Sequence, residues 1–517
     1  MPKYDNTICD DKMTFQECEL AILRKAVDDS ETKQGKLIAT NDDVKKIISI
    51  LEDFLKLKKV ICYGGTAINN ILPKNDQFYN KELEVPDYDF YSNGAFDDAI
   101  ELANIYYDSG YQEVEAKAGV HHGTYKVYVN FLPIADITQM HSMIFDELYV
   151  ASIKIAGIRY ASPDFLRMGM FLELSRPNGD VSRWEKVYKR LNLLNKHYPL
   201  KANFKCDTVE FQRKMNLSST EKTQKNGMTI EQIEAEIFTI IRDELASQGA
   251  VFFGGYACGL YSKYMKDSDK RELAKIPDFD AIIENIERTA LIIKEQLESS
   301  GYTKISLIEH EAIGEIVPKH IEIKIGKESV AFLYEPIACH NYNKINVGTG
   351  TEINVATIDT ILTFYLAFLY TKKIYYYKDR LMCIAEYLFN LQEENRLSQK
   401  GLLERFSMDC YGKQPTMEDI RAEKAEKYAE MSSKRGTREY DEWFLNYKPN
   451  ISRKNPQTKD RAKVLDEKHI LHSPRIKSKP SNKNYTSKIR EINKIRRPKK
   501  HMKKTHRKKP RNNEYLI

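Results

Sequence analysis

Apolar and polar positions along the chain fall into short β-like runs and helical stripes. Lys59 to Tyr63 is a brief run of β-branched and aromatic residues that reads as a strand, and Gly64-Gly65 then opens a helix through Ile68 and Ile71. Val85 to Tyr91 alternates with the period of two of a second strand. Phe96, Ala99, Ile100, Ala103, Tyr106 and Tyr107 recur at helical spacing, with Asp97 and Asp98 in the first turn and Gly110 as the stop. Tyr125 to Ile137 reads as one long strand. Residues before Asp42 form a helical lead-in. The most apolar stretch, Ile358 to Leu369, falls well short of the ~20 residues that span a bilayer and reads as a buried helix. Strands and helices mix without strict alternation, so the expected class is α/β with mixed sheets and packed helices rather than a doubly wound sheet.

The same succession occurs twice. Lys59-Val60-Ile61-Cys62-Tyr63-Gly64-Gly65-Thr66-Ala67 resembles Ala250-Val251-Phe252-Phe253-Gly254-Gly255-Tyr256-Ala257, and Pro86-Asp87-Tyr88-Asp89 matches Pro277-Asp278-Phe279-Asp280. A helical stretch follows each, ending in Ser109-Gly110-Tyr111 or Ser300-Gly301-Tyr302, and the step from the first Asp to that Gly is 23 residues in both. Leu132-Pro133-Ile134-Ala135-Asp136 then pairs with Glu335-Pro336-Ile337-Ala338-Cys339. Ala161-Ser162-Pro163-Asp164 pairs with Ala356-Thr357-Ile358-Asp359, and Trp184-Glu185-Lys186 with Lys378-Asp379-Arg380. A period this long is a tandem duplication of domains rather than a solenoid. The expected division is a helical segment at 1–45, a first copy at 46–200, a second at 201–445 and a tail at 446–517.

Composition adds compartment and partners. The 517 residues are 42% hydrophobic and 30% charged, enough apolar material for two or three cores. Met1-Pro2-Lys3-Tyr4-Asp5 begins no secretory signal, since no apolar run follows a basic start. The eight cysteines stand in no CxxC spacing and several lie in apolar runs, which predicts reduced, buried thiols in a reducing compartment rather than disulfides or a zinc site. The net charge of +7 is unevenly spread. From Asn446 to Ile517 there are 24 Lys and Arg against 5 Asp and Glu, a surplus of 19 that leaves the rest of the chain at −12. That tail is poor in apolar residues and is expected to be largely disordered and to meet a polyanion such as nucleic acid.

The candidate chemistry sits in the first copy. Asp87 and Asp89 are two apart on a strand, so both carboxylates point to one face and Tyr88 to the other. Asp136, near the end of a neighbouring strand, reaches the same edge. Three converging carboxylates repel one another unless hard divalent cations sit between them, and two such ions about 3.5–4 Å apart would activate a hydroxyl and stabilise a leaving pyrophosphate. Gly64-Gly65 lets backbone N–H groups approach a phosphate at a helix start, and Thr66 adds a hydroxyl.

Gly64-Gly65, Asp87-Tyr88-Asp89 and Asp136 resemble the pattern of the DNA polymerase β-like nucleotidyltransferase superfamily. Their context (Gly-Gly-Thr-Ala, Asp-Tyr-Asp-Phe-Tyr-Ser, Ala-Asp-Ile-Thr) is similar to the poly(A) polymerase catalytic subunits of poxviruses and other large cytoplasmic DNA viruses, over roughly Ile48 to Leu445. The interval between Gly65 and Asp87 is longer than the generic pattern, and the second copy shares it. The resemblance implies two tandem nucleotidyltransferase-like domains, ATP as substrate, Mg²⁺ or Mn²⁺ as cofactor and an mRNA 3′ end as acceptor. Asp87, Asp89 and Asp136 would be catalytic and metal-binding, and Gly64, Gly65 and Thr66 would hold the triphosphate. It also implies a homodimer or a processivity subunit as partner, no membrane, and a place in the host cytoplasm (the viral factory) or the virion. A different acceptor, such as tRNA, a protein or a small molecule, and a non-catalytic RNA-binding scaffold are the rival readings.

In the second copy Cys339 takes the third carboxylate position and Tyr256 replaces Thr66, which predicts a copy without catalysis, with weak metal binding left at Asp278 and Asp280. Lys154, Arg183, Lys186 and Lys189 are candidate phosphate contacts, though isolated helix cations are commonly solvated. His121-His122 read as an exposed turn, and Tyr375-Tyr376-Tyr377 and Trp184 as core packing.

Overall fold

The computed structural model describes residues 8–9, 12–39, 41–80, 85–206, 209, 212–213, 228–264, 276–348 and 350–452. Two helices, Phe15–Ala39 and Asp42–Leu57, lead in. Asn41 caps the second by accepting from the Asp43 and Val44 N–H groups, and Val44, Ile47, Leu51, Phe54 and Leu55 bury its inner face.

The first copy contributes seven strands: β1 (Ile61–Tyr63), β2 (Tyr88–Ser92), β3 (Val114–Ala118), β4 (Thr124–Val129), β5 (Leu132–Gln139), β6 (Ile153–Ile155) and β7 (Ile158–Tyr160). The second contributes β8 (Val251–Phe252), β9 (Phe279–Ile282), β10 (Ile305–His310), β11 (His320–Ile325), β12 (Glu328–Tyr334), β13 (His340–Val347) and β14 (Thr351–Ala356). Two short strands follow, β15 (Cys410–Tyr411) and β16 (Asn446–Tyr447). The sheets run β16-β3-β4-β5-β2-β1-β7-β6 and β10-β11-β12-β9-β8-β14-β13-β15. Laid over each other, seven strands coincide in order and in sense. The parallel pairs β2–β5 and β1–β7 answer to β9–β12 and β8–β14. The duplication read from the sequence is a duplication of sheets.

Equivalent helices join the copies. Ser162 caps the helix Pro163–Leu174 and Thr357 caps Ile358–Phe368, whose residues are all buried, and the two helices pack on each other. Ser162 Oγ lies 2.5 Å from Tyr370 Oη, and the Phe165 ring meets the Tyr370 ring edge-on at 5.0 Å. One apolar core therefore runs through both copies. Within it Asp359 is fully buried and held by Arg405 Nε and Nη2, each at 2.9 Å. No helix among the described residues is long and apolar enough to cross a membrane.

Three expectations are corrected. The run Tyr125–Ile137 is a hairpin, β4 and β5, turned at Asn130 and Phe131 with φ of 49° and 67°. Polar–apolar alternation continues on both sides of a two-residue turn, so the periodicity alone shows no break. The tail boundary at 446 falls too early, because β16 pairs with β3 and a short helix, Pro449–Ser452, follows it; residues 453–517 lie outside those described. Six cysteines are paired, Cys9–Cys18, Cys206–Cys383 and Cys339–Cys410, leaving Cys62 and Cys258 as buried thiols. Two of these pairs join residues 177 and 71 positions apart, contacts made by packing that no local Cys spacing announces.

The returning segment completes the first copy. Ala118 N donates to Leu445 O at 2.9 Å, Tyr125 Oη to Glu442 O at 3.0 Å, Arg438 pairs with Asp97 at 2.9 Å, and Trp443 stacks on His122 at 4.0 Å. A chain ended at residue 436 loses all of these. It is expected to melt several degrees lower, at about 2–4 °C per kcal/mol lost for a domain of roughly 200 residues, and to be cut faster by protease within the first copy. An unchanged melting curve would show that the segment is not part of that fold unit.

Candidate active site and its filled duplicate

The centre of the first sheet sets the site. Parallel pairing of β2 with β5 places Asp89 directly opposite Asp136, and Asp87 precedes β2 on the same face, while Tyr88 and Phe90 point into the core. Asp136 lies in the middle of β5, not near its end. Lys126, opposite Asp136 across the β4–β5 pair, forms an ion pair with its Oδ2. Burial pushes the Asp89 carboxyl up to about 7, helped by the charges of Asp87 and Asp136. Burial, and then Asp136, also raises Asp87.

Gly64 begins the helix Gly64–Ile71 at φ +73°, and a Cβ there would lie 2.5 Å from Asp89 Oδ2. The glycine is what lets the turn approach the carboxylates so closely. A Cβ on Gly65 would collide with Tyr79 Oη and meet the Arg190 guanidinium at 3.0 Å. Arg190 itself donates to Tyr79 Oη at 2.7 Å. The Gly-Gly turn thus has the acidic pair on one side and a cation on the other. Thr66 is buried and donates its hydroxyl to the Asp87 carbonyl at 2.5 Å, so it ties the helix start to the acidic strand.

Of the other candidate cations, Arg183 bears electrostatically on Asp89 and pairs with Glu173 at 3.1 Å. Lys189 is spent on Glu185 at 2.5 Å on an exposed helix face, and Lys154 and Lys186 are exposed. His121 and His122 are exposed, and Tyr376 stacks on Phe368 at 3.9 Å, while Tyr377 is exposed. Trp184 packs against the core and donates to Glu173 O at 3.0 Å. Sequence reasoning missed Lys126, Tyr79 and Arg190. Only the first left a trace, as a polar residue on the Asp136 face of the alternating β4 run.

Among the described residues no three His, Cys, Asp or Glu side chains stand close enough to grip a metal ion together. The donor set of Asp87, Asp89 and Asp136 still fits a hard divalent cation. It is all oxygen, and burial, with the mutual repulsion of its like charges second, raises Asp89 and Asp87.

The duplicate site is different in kind. Asp280 faces Phe332 across the parallel β9–β12 pair, so the residue at the place of Asp136 is Phe332. Cys339 lies beyond the end of β12, in the Cys339–Cys410 pair. The matching string Pro-Ile-Ala misled because strand register, not local identity, decides which residues face each other. The Tyr256 ring turns into a cluster of Phe238, Phe252 and Phe279 and away from the Gly-Gly turn. Arg213 fills the carboxylate site, with Nε 2.6 Å from Asp278 Oδ2 and Nη2 2.5 Å from Asp280 Oδ1. A guanidinium thus stands where weak metal binding at Asp278 and Asp280 was expected.

The charge held at Asp89 gives a stability test. A carboxyl in the unfolded chain titrates near ~3.9, below the folded value of about 7. Ionisation therefore disfavours the fold increasingly as pH rises through that window, and fully above it. In chelator, Asp89→Asn is expected to melt above wild type at pH 8 and to lose much of that margin at pH 5. A margin that is absent or independent of pH would count against a strained carboxylate set.

Residues 49–180 match the family described as "Poly(A) polymerase catalytic subunit". An African swine fever virus protein provisionally named poly(A) polymerase catalytic subunit is 32% identical over 164 residues, 31% of this chain and 34% of that protein. One of the same name from Acanthamoeba polyphaga mimivirus is 27% identical over 254 residues, 48% of this chain and 41% of that protein. The chain thus spans about a third to two fifths of the relatives it matches. The crystal structure of the Megavirus polyadenylate synthase aligns with 92% of each chain at a TM-score of 0.70 and 19% identity, which establishes the shared fold. Over residues 49–180, then, this chain is similar to the viral poly(A) polymerase catalytic subunits, and nearly its whole length shares the fold of the Megavirus polyadenylate synthase.

Proposed function

We propose that the first copy is a template-independent polynucleotide adenylyltransferase, adding adenylate from ATP to the 3′ end of an RNA. The observation that carries this reading is the register of Asp89 against Asp136, with Asp87 alongside and the Gly64-Gly65 turn in contact with Asp89. Gly64 and Gly65 offer backbone N–H groups and a helix start to the triphosphate, and Arg190 and Arg183 add positive charge beside it. Asp87, Asp89 and Asp136 would hold Mg²⁺ or Mn²⁺, which when bound eases deprotonation of a hydroxyl and offsets charge on the phosphates. Lys126 balances the charge of Asp136. Thr66 keeps the turn and the acidic strand at a fixed spacing, so nucleotide and carboxylates are positioned by one piece of backbone. The surplus of 19 positive charges from Asn446 onward favours a polyanionic acceptor and disfavours a small-molecule one. An mRNA acceptor, a processivity partner and a site of action in the host cytoplasm belong to the same proposal.

The test is extension of a labelled RNA primer with each NTP and Mg²⁺ or Mn²⁺. ATP with wild type should lengthen the primer. Asp87→Ala, Asp89→Ala and Asp136→Ala should each remain folded and lose roughly 10²–10³-fold or more, since several kcal/mol of charge stabilisation is lost at about 1.36 kcal/mol per tenfold. Gly64→Ala should lose extension too, because its Cβ would displace the Asp89 carboxylate. Full extension by a folded Asp89→Ala protein would overturn the assignment, and equal use of all four NTPs would overturn the adenylate part of it.

A further inference from the structure

A duplicated copy that has lost its third carboxylate has no catalytic reason to keep the other two, yet Asp278 and Asp280 persist, nearly buried. Their surroundings explain it. Gln212 and Arg213, ahead of the second copy's first helix, lie at the position that corresponds to the first copy's active site. Gln212 Nε2 donates to the carbonyl of Gly255, the counterpart of Gly65 in the Gly-Gly turn, and a Cβ on Gly259 would meet the same amide at 3.2 Å. Arg213 spans both carboxylates, and its guanidinium lies over the Phe332 ring at 4.2 Å. The backbone joins in, with Asp278 N donating to Arg213 O at 3.2 Å. The space left beside these groups is about 20 Å³, room for one water molecule.

We propose that the Gln212-Arg213 dipeptide is a built-in occupant of the second copy's nucleotide-and-metal site. The amide stands at the phosphate turn, and the guanidinium stands where a divalent cation would neutralise the two carboxylates. Phe332 suits this use, since a ring offers a face to a guanidinium where a third carboxylate would not. The occupant is part of the chain, so the site is shut permanently. Arg380 lines the same space but donates to Tyr375 O at 3.0 Å and makes no ion pair with either Asp among the described residues.

Two measurements on the full chain test this. The first is thermal. Arg213→Met leaves two buried carboxylates without their cation and is expected to lower the melting temperature by roughly 5 °C or more. Adding Asp278→Asn and Asp280→Asn to it removes the stranded charges, so the triple variant should recover most of the loss. A triple variant no more stable than Arg213→Met would overturn the proposal, and so would an Arg213→Met protein that melts like wild type. If Arg213→Met fails to fold, a folded triple variant supports the proposal and an unfolded one overturns it.

The second is terbium luminescence, excited through the nearby Tyr334, Tyr375 and Tyr376 and measured in an Asp87→Asn, Asp89→Asn background that silences the first copy. With Arg213 present no sensitised signal should titrate. With Arg213→Ala one site should appear, and Asp278→Asn should abolish it. A folded Arg213→Ala protein that gains no signal overturns the proposal. A signal already present with Arg213 and removed by Asp278→Asn does the same, because the cation place would then be open. Neither readout depends on RNA extension, so the proposal can fail while the assignment of the first copy stands.

Discussion

The register of one pair of parallel strands decides the chemistry of each copy. Parallel strands hold their partners in fixed opposition, and a slip of one residue would send every side chain to the other face. Between β2 and β5 that opposition sets Asp89 against Asp136, where burial, and then the charges of Asp87 and Asp136, raise the Asp89 carboxyl. Between β9 and β12 the same geometry sets Asp280 against Phe332. Where the first copy sets a carboxylate against its Asp-x-Asp strand, the second sets a ring, over which the Arg213 guanidinium lies. The glycine turns, the capped helices and the packing of Pro163–Leu174 on Ile358–Phe368 are shared by both copies and serve mainly to keep those strands in place.

Much of this was legible in the sequence because it is local. The Gly-Gly turns, the Asp-x-Asp strands, the helix ended by Gly110 and the buried helix from Ile358 are each written in a window of a few residues. Their repetition in one order exposed the duplication. What stayed hidden is what long-range pairing decides. The Asn130-Phe131 turn interrupts no periodicity, so β4 and β5 read as one strand. Arg213 lies 65 residues before Asp278 and in no recognisable pattern, so a filled site looked like a weakly metal-binding one. The second copy does lack its third carboxylate, but the residue in that place is Phe332; Cys339 shares only the local neighbours of Asp136. The cysteines were misread for the same reason, since spacing along the chain carries no information about partners 177 residues apart.

The two copies also divide electrostatic labour. The first sets Asp87 and Asp89 beside the Gly64-Gly65 turn, buried and raised, and among the described residues only Asp136 is paired, to Lys126. The second sets Arg213 against Asp278 and Asp280, yet burial still raises the Asp278 carboxyl and leaves its oxygens without a hydrogen bond among the described residues; it also holds the Asp359–Arg405 pair at the start of its buried helix.

The strand β16 gives the chain an order of assembly. Its residues, Asn446 and Tyr447, pair with Lys117 and Ala116, and Leu445 accepts from Ala118. The first copy's sheet therefore lacks its outer strand until more than three hundred further residues have been made. Domains in a nascent chain generally fold from the N-terminus as they emerge. A first copy that folds as it emerges therefore keeps an open edge at β3 while the other half is made.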